Sequence, residues 1–384
     1  MRATINVSRI FVGILFIISG LVKANDPLGL SYKMQEFFEV WNGSLASSSF
    51  FAKNFFIQSL NFLNNHSLAL SVIIITLEIM AGVALLMGWR KKLVLNLLLI
   101  LIIFFTFLTA YALWSGKFKN CGCFGDCLPI SPLTSFLKDV VLLALILFLL
   151  FFQRYIQPIF SKRTQALTLL ASLLFTLGLQ WYVLNYLPLA DCLPFKKGAS
   201  IQEEMKIPAN AVQDSFTMKF IYEKEGKRFE FAPEELPSDL NNYTFIDRTQ
   251  KLVRKGNEEP PIKGFSLTGI GGTDSTTAIL QLPQAILLFC EYLKKDTPAW
   301  IEDFKEIKIK ALQNNIPVFI ITPDVAGAQQ LFSKNNLNDV PIFSCDNTAV
   351  KTAARTNPAI FLIEEGIVKA KYSYHHMDRI IVDR

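Results

Sequence analysis

The chain has 384 residues, a formal net charge of +6 and a hydrophobic share of 51%. That length allows two or three domains, and the apolar share is high for a water-soluble protein. The modest positive balance comes partly from basic residues flanking apolar runs and gives no reason to invoke nucleic acid. The apolar excess lies before residue 190, and the remainder is ordinary and charged. A membrane-embedded half in contact with lipid is therefore followed by a water-exposed half.

Five segments read as transmembrane helices, because a span needs roughly 20 mostly apolar residues to cross about 30 Å of hydrocarbon. They are residues 7–24, 68–88, 93–114, 135–152 and 166–187. The first begins with Arg2 and Arg9 but is followed by no small-x-small cleavage site, so an uncleaved helix is expected. In "LVKANDPLG", Lys23 reads as a snorkelling lysine and Pro27 as a helix stop. Arg90, Lys91 and Lys92 separate the second and third spans, while Arg154, Lys162 and Arg163 separate the fourth and fifth. Positive charge in short loops marks the cytoplasmic face. The expected setting is a bacterial inner membrane with a cytoplasmic N-terminus. The 25–66 loop, the 120–127 loop and everything after Leu187 then lie on the extracytoplasmic side.

The stretch "NCGCFGDC", residues 120–127, holds three of the six cysteines. With Cys192 in "LPLADCLPFKKG", four thiols are expected at one depth of an oxidising compartment, where disulfides persist. One reading is a structural disulfide from Cys121 or Cys123 to Cys127, in a loop whose glycines permit the turn. A second is thiol–disulfide exchange, with Cys121 and Cys123 as the exchanging pair and Cys127 or Cys192 as resolving partner. Electrons would then pass to a lipid-soluble quinone. A third is a metal site with Cys192 as fourth ligand, for which Cys-x-Cys is a poor spacing. Lys23, Glu78, Lys138 and Asp139 fall within or at the edge of the spans, where charge is costly. They read either as two buried ion pairs locking four helices or as a quinone or proton site. Ser19, Gly20, Ala81 and Gly82 look like close-packing positions.

"RIFVGILFIISGLVKANDPLG" followed by "LEIMAGVALLMGWRKK" resembles the DoxX-like membrane proteins. "CGCFG" ahead of a helix with Lys138 and Asp139 near its start resembles the methylamine-utilisation protein MauE. The resemblance covers residues 1–152. It implies a four-helix membrane domain that helps mature disulfide-rich extracytoplasmic proteins, similar to quinone-linked thiol oxidoreductases, with Cys121 and Cys123 at the motif cysteines. Cys127, the fifth span with its connector (153–195) and the tail are additions to that pattern.

Residues 196–257 read as a small β-rich insert. "FTMKFIYEKEGKRFEF" offers two alternating strands joined at Glu225 and Gly226, and "YTFIDRTQKLVRKG" a second hairpin. Residues 258–384 alternate strand and helix: "AILLFC", a helix over 297–314, "IPVFIITPD", a helix over 327–334, "VPIFSCD", a helix over 348–355, and a closing hairpin turning at Glu365 and Gly366. That order predicts an α/β sandwich. It resembles the thioredoxin fold in its TlpA or peroxiredoxin-like form, with Pro358 in "NPAIFLI" at the position of the cis-proline that lines the active-site groove. Lys294 and Thr297 stand where that family carries its two thiols, so this domain is predicted to be inactive. A peptide-binding role beside Pro358 is then expected. Cys290 and Cys345 read as buried, unpaired core residues, and His375-His376 as a surface pair without a metal.

The resulting expectation is an all-α membrane bundle of five spans followed by an extracytoplasmic thioredoxin-like α/β domain with a β-rich insert. Two functions stand open: a membrane thiol–disulfide oxidoreductase acting on extracytoplasmic proteins, or a non-catalytic assembly or scaffold factor with a structural loop disulfide.

Overall fold

A computed structural model describes residues 2–49, 51–115, 118, 125, 127, 130–209, 211, 215–224, 227–237, 240–254, 260–293 and 298–380. Helix α1 (Arg2–Ala24) is followed by α2 (Pro27–Ala46) and α3 (Lys53–Asn65). The 25–66 segment, expected as a loop, is thus mostly a helical pair. Pro27 closes off α1 and also opens α2, since Asp26 accepts a hydrogen bond from Gly29 N (3.0 Å) and proline suits a first helical position. Both helices mix apolar and polar positions, so neither has the unbroken apolar run by which a span is recognised.

Next come α4 (Ser67–Met87), α5 (Lys91–Ser115), α6 (Pro132–Phe151) and α7 (Lys162–Tyr186). Ser131 and Ser161 cap α6 and α7 by accepting from Thr134 N and Thr164 N. Helix α4 ends on Gly88 at φ 71°, where Trp89 N reaches back to Ala84 O (3.0 Å). Helices α1, α4, α5, α6 and α7 are long and apolar enough to cross a membrane.

Glycines set the approach of α1 to α4. A Cβ on Gly82 would lie 2.8 Å from the carbonyl oxygen of Gly13, and one on Gly20 would clash with Ile79. Val12, Phe16, Ile75, Ile79, Leu98 and Ile146 fill the space around this contact. At the other end of these helices Arg9 Nη1 donates to Gln157 O (3.1 Å), and Ile159 N donates to Met87 O (3.1 Å). The α6–α7 connection is thereby tied to α1 and α4.

Beyond α7 the chain enters the second half through α8 (Ile201–Glu204). Strands β1 (Ser215–Lys224), β2 (Lys227–Phe231) and β3 (Thr244–Arg254) form an antiparallel sheet of order β2-β1-β3. "YTFIDRTQKLVR" is therefore one strand lying along β1, not the hairpin expected: the edge of β1 away from β2 is paired by one strand of matching length. The turn expected at Glu225 and Gly226 lies outside the described residues.

The second sheet is built from β4 (Thr268–Gly269), β5 (Ala285–Phe289), β6 (Val318–Thr322), β7 (Ile342–Ser344), β8 (Ala359–Glu364) and β9 (Ile367–Ser373), in the order β4-β7-β6-β5-β8-β9. β5, β6 and β7 run parallel, and β8 runs antiparallel to β5. Helices α9 (Thr276–Leu280), α10 (Trp300–Gln313), α11 (Val325–Lys334) and α12 (Asn347–Ala353) cover its two faces. Ile286 and Leu288 meet Phe304 and Phe332 on one face, while Leu287 and Phe289 meet Val350 and Phe195 on the other. A strand buried on both faces needs apolar residues throughout, which is why "AILLF" shows no alternation. Phe195 and Ile201 belong to this core, so the chain joins the α/β unit a few residues after Cys192.

The α1–α4 contact predicts a contrast between glycines. Gly82→Leu should lower stability by about 1–3 kcal/mol through overpacking, whereas Gly43→Ala, with nothing within 4 Å of the added carbon, should be neutral or raise it by up to about 1 kcal/mol. Thermal unfolding of the purified protein in detergent reads both.

Candidate functional site at the cysteine end of the bundle

Cys127 is joined by a disulfide to Cys192, with Cα atoms 4.9 Å apart and 65 positions between them in sequence. The bond ties the α5–α6 connection to the segment after α7. Cys127 therefore pairs with neither Cys121 nor Cys123, and Cys192 is unavailable as a fourth metal ligand. Cys121 and Cys123 themselves lie outside the described residues. Among the described residues no group of three or more His, Cys, Asp or Glu is placed to hold a metal ion. In the chain-entropy account, closing a loop of this length restricts the unfolded chain by about 4 kcal/mol.

The segment around Cys192 is held from both sides. Asn25 donates from Nδ2 to Ala190 O (2.8 Å) and accepts from Ala190 N (3.0 Å). Asp191 accepts from Lys371 Nζ on β9 (2.8 Å). Burial holds the Lys371 ammonium below its ordinary pKa, with Asp191 opposing that shift. Gly125, two residues before Cys127, lies against Val22, where an added Cβ would sit 3.5 Å from Cγ1.

Directly next in sequence is Lys23, 2% exposed. The expected snorkelling does not occur. Its Nζ lies 2.8 Å from each carboxylate oxygen of Glu78, donates to Ser19 Oγ (2.9 Å), and sits 4.3 Å from the centroid of the Phe105 ring. A partner of opposite charge within reach replaces the solvent that snorkelling would have found. The second charge pair differs in kind. Lys138 Nζ and Asp139 Oδ1 are 2.8 Å apart but are neighbours on α6. The link across helices comes from Thr109 on α5, whose hydroxyl donates to Asp139 Oδ2 (3.1 Å). All four charged groups line one cavity of about 20 Å³, closed by Phe16, Ile102, Phe105 and Leu142. That is space for about one water molecule, and a quinone ring does not fit inside it.

The α/β unit docks on the same end. Arg355, 5% exposed, donates from Nε to Asp26 Oδ2 (2.9 Å), the carboxylate that caps α2. Its guanidinium lies 5.3 Å from the ring of Tyr32, and Lys351 Nζ lies 4.9 Å from it. Tyr32 donates to Glu291 Oε2 (2.7 Å), and burial, then Glu291, push the phenol well above its ordinary pKa. Lys351 also donates to Gln35 (3.2 Å). The Asn357–Pro358 bond is cis, and the Asn357 amide is held by Glu291 N (2.8 Å) and Tyr292 O (2.6 Å). The edge carrying Pro358, expected to receive an extended peptide, is thus turned toward the chain's own α1–α2 elbow.

Lys294 and Thr297 lie outside the described residues. Cys290 and Cys345 are buried and unbonded, at the ends of β5 and β7 with β6 between them. Burial pushes the Cys290 thiol far up and that of Cys345 up to about 11. His375 meets Asn185 (3.3 Å), and both His375 and His376 lean on the Tyr186 ring. Tyr32, Thr109, Asp191, Glu291, Arg355 and Lys371 had no motif to reveal them. Asp26, before a proline at a helix start, carried a readable signal.

Five apolar helices, four of them lining the cavity that holds a buried charge pair, describe an integral membrane protein. Residues 1–152 match the family model of the methylamine utilisation protein MauE, so α1 to α6 form a MauE-like membrane region. Residues 216–255, which span the three-stranded sheet, match a domain of unknown function, DUF8463. No curated protein and no solved structure matches the chain.

Two outcomes follow. Glu78→Met should cost about 3–5 kcal/mol by stranding a buried ammonium, while Lys23→Met/Glu78→Met should cost less than the two single changes combined. A double-mutant cycle of unfolding in detergent measures the coupling. In the folded protein at neutral pH, Cys290 and Cys345 should resist a water-soluble maleimide and react only after denaturation, as mass spectrometry of labelled peptides would show.

Proposed function

We propose that this is a membrane thiol–disulfide redox protein of the cell envelope, of the methylamine-utilisation type, assisting maturation of extracytoplasmic proteins. The carrying observation is the half-exposed Cys127–Cys192 bond at the end of a MauE-like bundle, with Cys121 and Cys123 a few residues upstream. In the exchange step, a thiolate of a substrate dithiol attacks one sulfur of a loop disulfide, and the second substrate thiol resolves the mixed disulfide. The substrate loses two electrons and two protons, and the loop disulfide becomes two thiols. Cys121 and Cys123 are the pair assigned to meet the substrate, with Cys127–Cys192 as the bond that reoxidises them. Return to the starting state calls for an acceptor of two electrons and two protons, and a lipid-soluble quinone is the class a membrane supplies. The water-sized cavity does not fit its ring, so no step inside the bundle is assigned to it.

The basic turns at Arg90–Lys92 and Arg154–Arg163 support a cytoplasmic N-terminus in a bacterial inner membrane, with the cysteine end and the α/β unit outside. The parallel β5–β6–β7 core, the antiparallel β8 and the cis bond before it support a thioredoxin-like fold for that unit. Without thiols at the usual positions, its role is to hold the Cys192 segment and the α1–α2 elbow in place.

One observation favours a second reading. The brace on Ala190 and Asp191 from both halves suits a permanent staple, in a non-catalytic assembly factor. The two separate in cells. In the redox protein, Cys123→Ser traps a mixed disulfide with an extracytoplasmic partner, and quinone depletion shifts the loop cysteines toward thiols. In the assembly factor no partner is captured, the loop does not change state, and the Cys127–Cys192 potential lies below about −300 mV.

A further inference from the structure

The opposite end of the bundle carries positive charge with no acid in sequence to balance it. Arg90, Lys91 and Lys92 lie at the α4–α5 turn, with Arg154, Lys162 and Arg163 on the α6–α7 connection and at the start of α7. Between Glu78 and Asp191 the only acidic residues are Asp126 and Asp139, one between α5 and α6 and the other in the first half of α6. Lys91 is oriented by backbone carbonyls, donating to Ile156 O (2.8 Å) and Arg154 O (3.2 Å), which cancels no charge. Arg90 and Lys92 are exposed, and the Arg90 guanidinium lies 5.2 Å from the ring of Trp89. Tryptophan favours the depth of lipid headgroups.

These residues form the rim of an open groove of about 720 Å³. Its apolar wall is Leu93, Leu97 and Ile100, spaced one and two turns apart on one face of α5, with Leu93 50% and Ile100 66% exposed, and Asn96 is the one uncharged polar residue of the lining. Helix α5 begins at Lys91, so the positive end of its dipole adds to the rim. A free phosphate would use the rim and leave the wall wet. A zwitterionic lipid would cover the wall and leave the charge uncompensated. Only an amphiphile with a net negative head satisfies both.

We propose that this groove binds an anionic phospholipid, its phosphate between Arg90 and Lys92 and an acyl chain along Leu93, Leu97 and Ile100. The site is independent of whether the loop cysteines exchange. Full-length protein in detergent, titrated with phosphatidylglycerol or phosphatidylcholine and read by native mass spectrometry, tests it. The wild type should bind phosphatidylglycerol on the order of ten-fold more tightly than phosphatidylcholine, and Arg90→Gln/Lys92→Gln should remove most of that preference. Lys162→Gln/Arg163→Gln removes equal charge from the same end but not from the groove, and should keep it. Thermal unfolding of both variants reports whether they remain folded. Equal loss in both doubles, loss in neither, or no headgroup preference in the wild type overturns the proposal. If Arg90→Gln/Lys92→Gln does not fold, Leu97→Gln replaces it and must weaken phosphatidylglycerol binding for the proposal to stand.

Discussion

A lysine side chain at 2% exposure among apolar helices needs an opposite charge to share its site. Lys23 meets that condition through Glu78, and the pair fixes where the end of α1 lies against α4. The neighbouring residues then use that fixed point. Val22 supports the cysteine loop at Gly125, Asn25 clamps Ala190 beside Cys192, and Asp26 both starts α2 and receives Arg355 from the α/β unit. Within five consecutive residues the chain connects the bundle core, the disulfide and the second half. The glycines at 13, 20 and 82 are part of the same constraint, since the carboxylate reaches the amine only if the two helices approach closely.

Docking through charged groups gives the second half a defined orientation. Arg355–Asp26 and Lys371–Asp191 are both largely buried, and each joins residues far apart in sequence. Breaking either would leave a desolvated charge, so the pairs favour one arrangement over alternatives more than they add net stability. The chosen arrangement turns the cis-proline edge toward the membrane region.

Legibility followed the range of the interaction. The five spans were readable because length and apolarity are local, and β5 because burial on both faces leaves no polar position. The pair α2 and α3 was missed, since helices that mix apolar and polar positions lack the unbroken apolar run by which a span is recognised. The hairpin expected in 243–256 failed because a long partner strand, not local turn chemistry, decided its shape. Lys23, Glu78, Lys138 and Asp139 were visible as costly charges and readable as two ion pairs, but which charge meets which was not. Lys138 and Asp139 turned out to share a helix, with Thr109 supplying the contact between helices. Four cysteines on one level left the pairing open, and only the fold could bring 127 and 192 together.

That pairing crosses a boundary. Cys127 lies within the MauE-like region, and Cys192 lies in the part of the chain the family match does not cover. Docking of the α/β unit holds Cys192 beside Cys127 and so favours the bond over two thiols. By linkage the bond favours docking to the same extent. Any reagent that reduces the bridge must work against the Asp191–Lys371 and Asp26–Arg355 contacts, and any loosening of those contacts makes the bridge easier to reduce. The loop's redox state and the position of the second half are therefore one coupled equilibrium, whether the chain uses it to exchange electrons or only to stay closed.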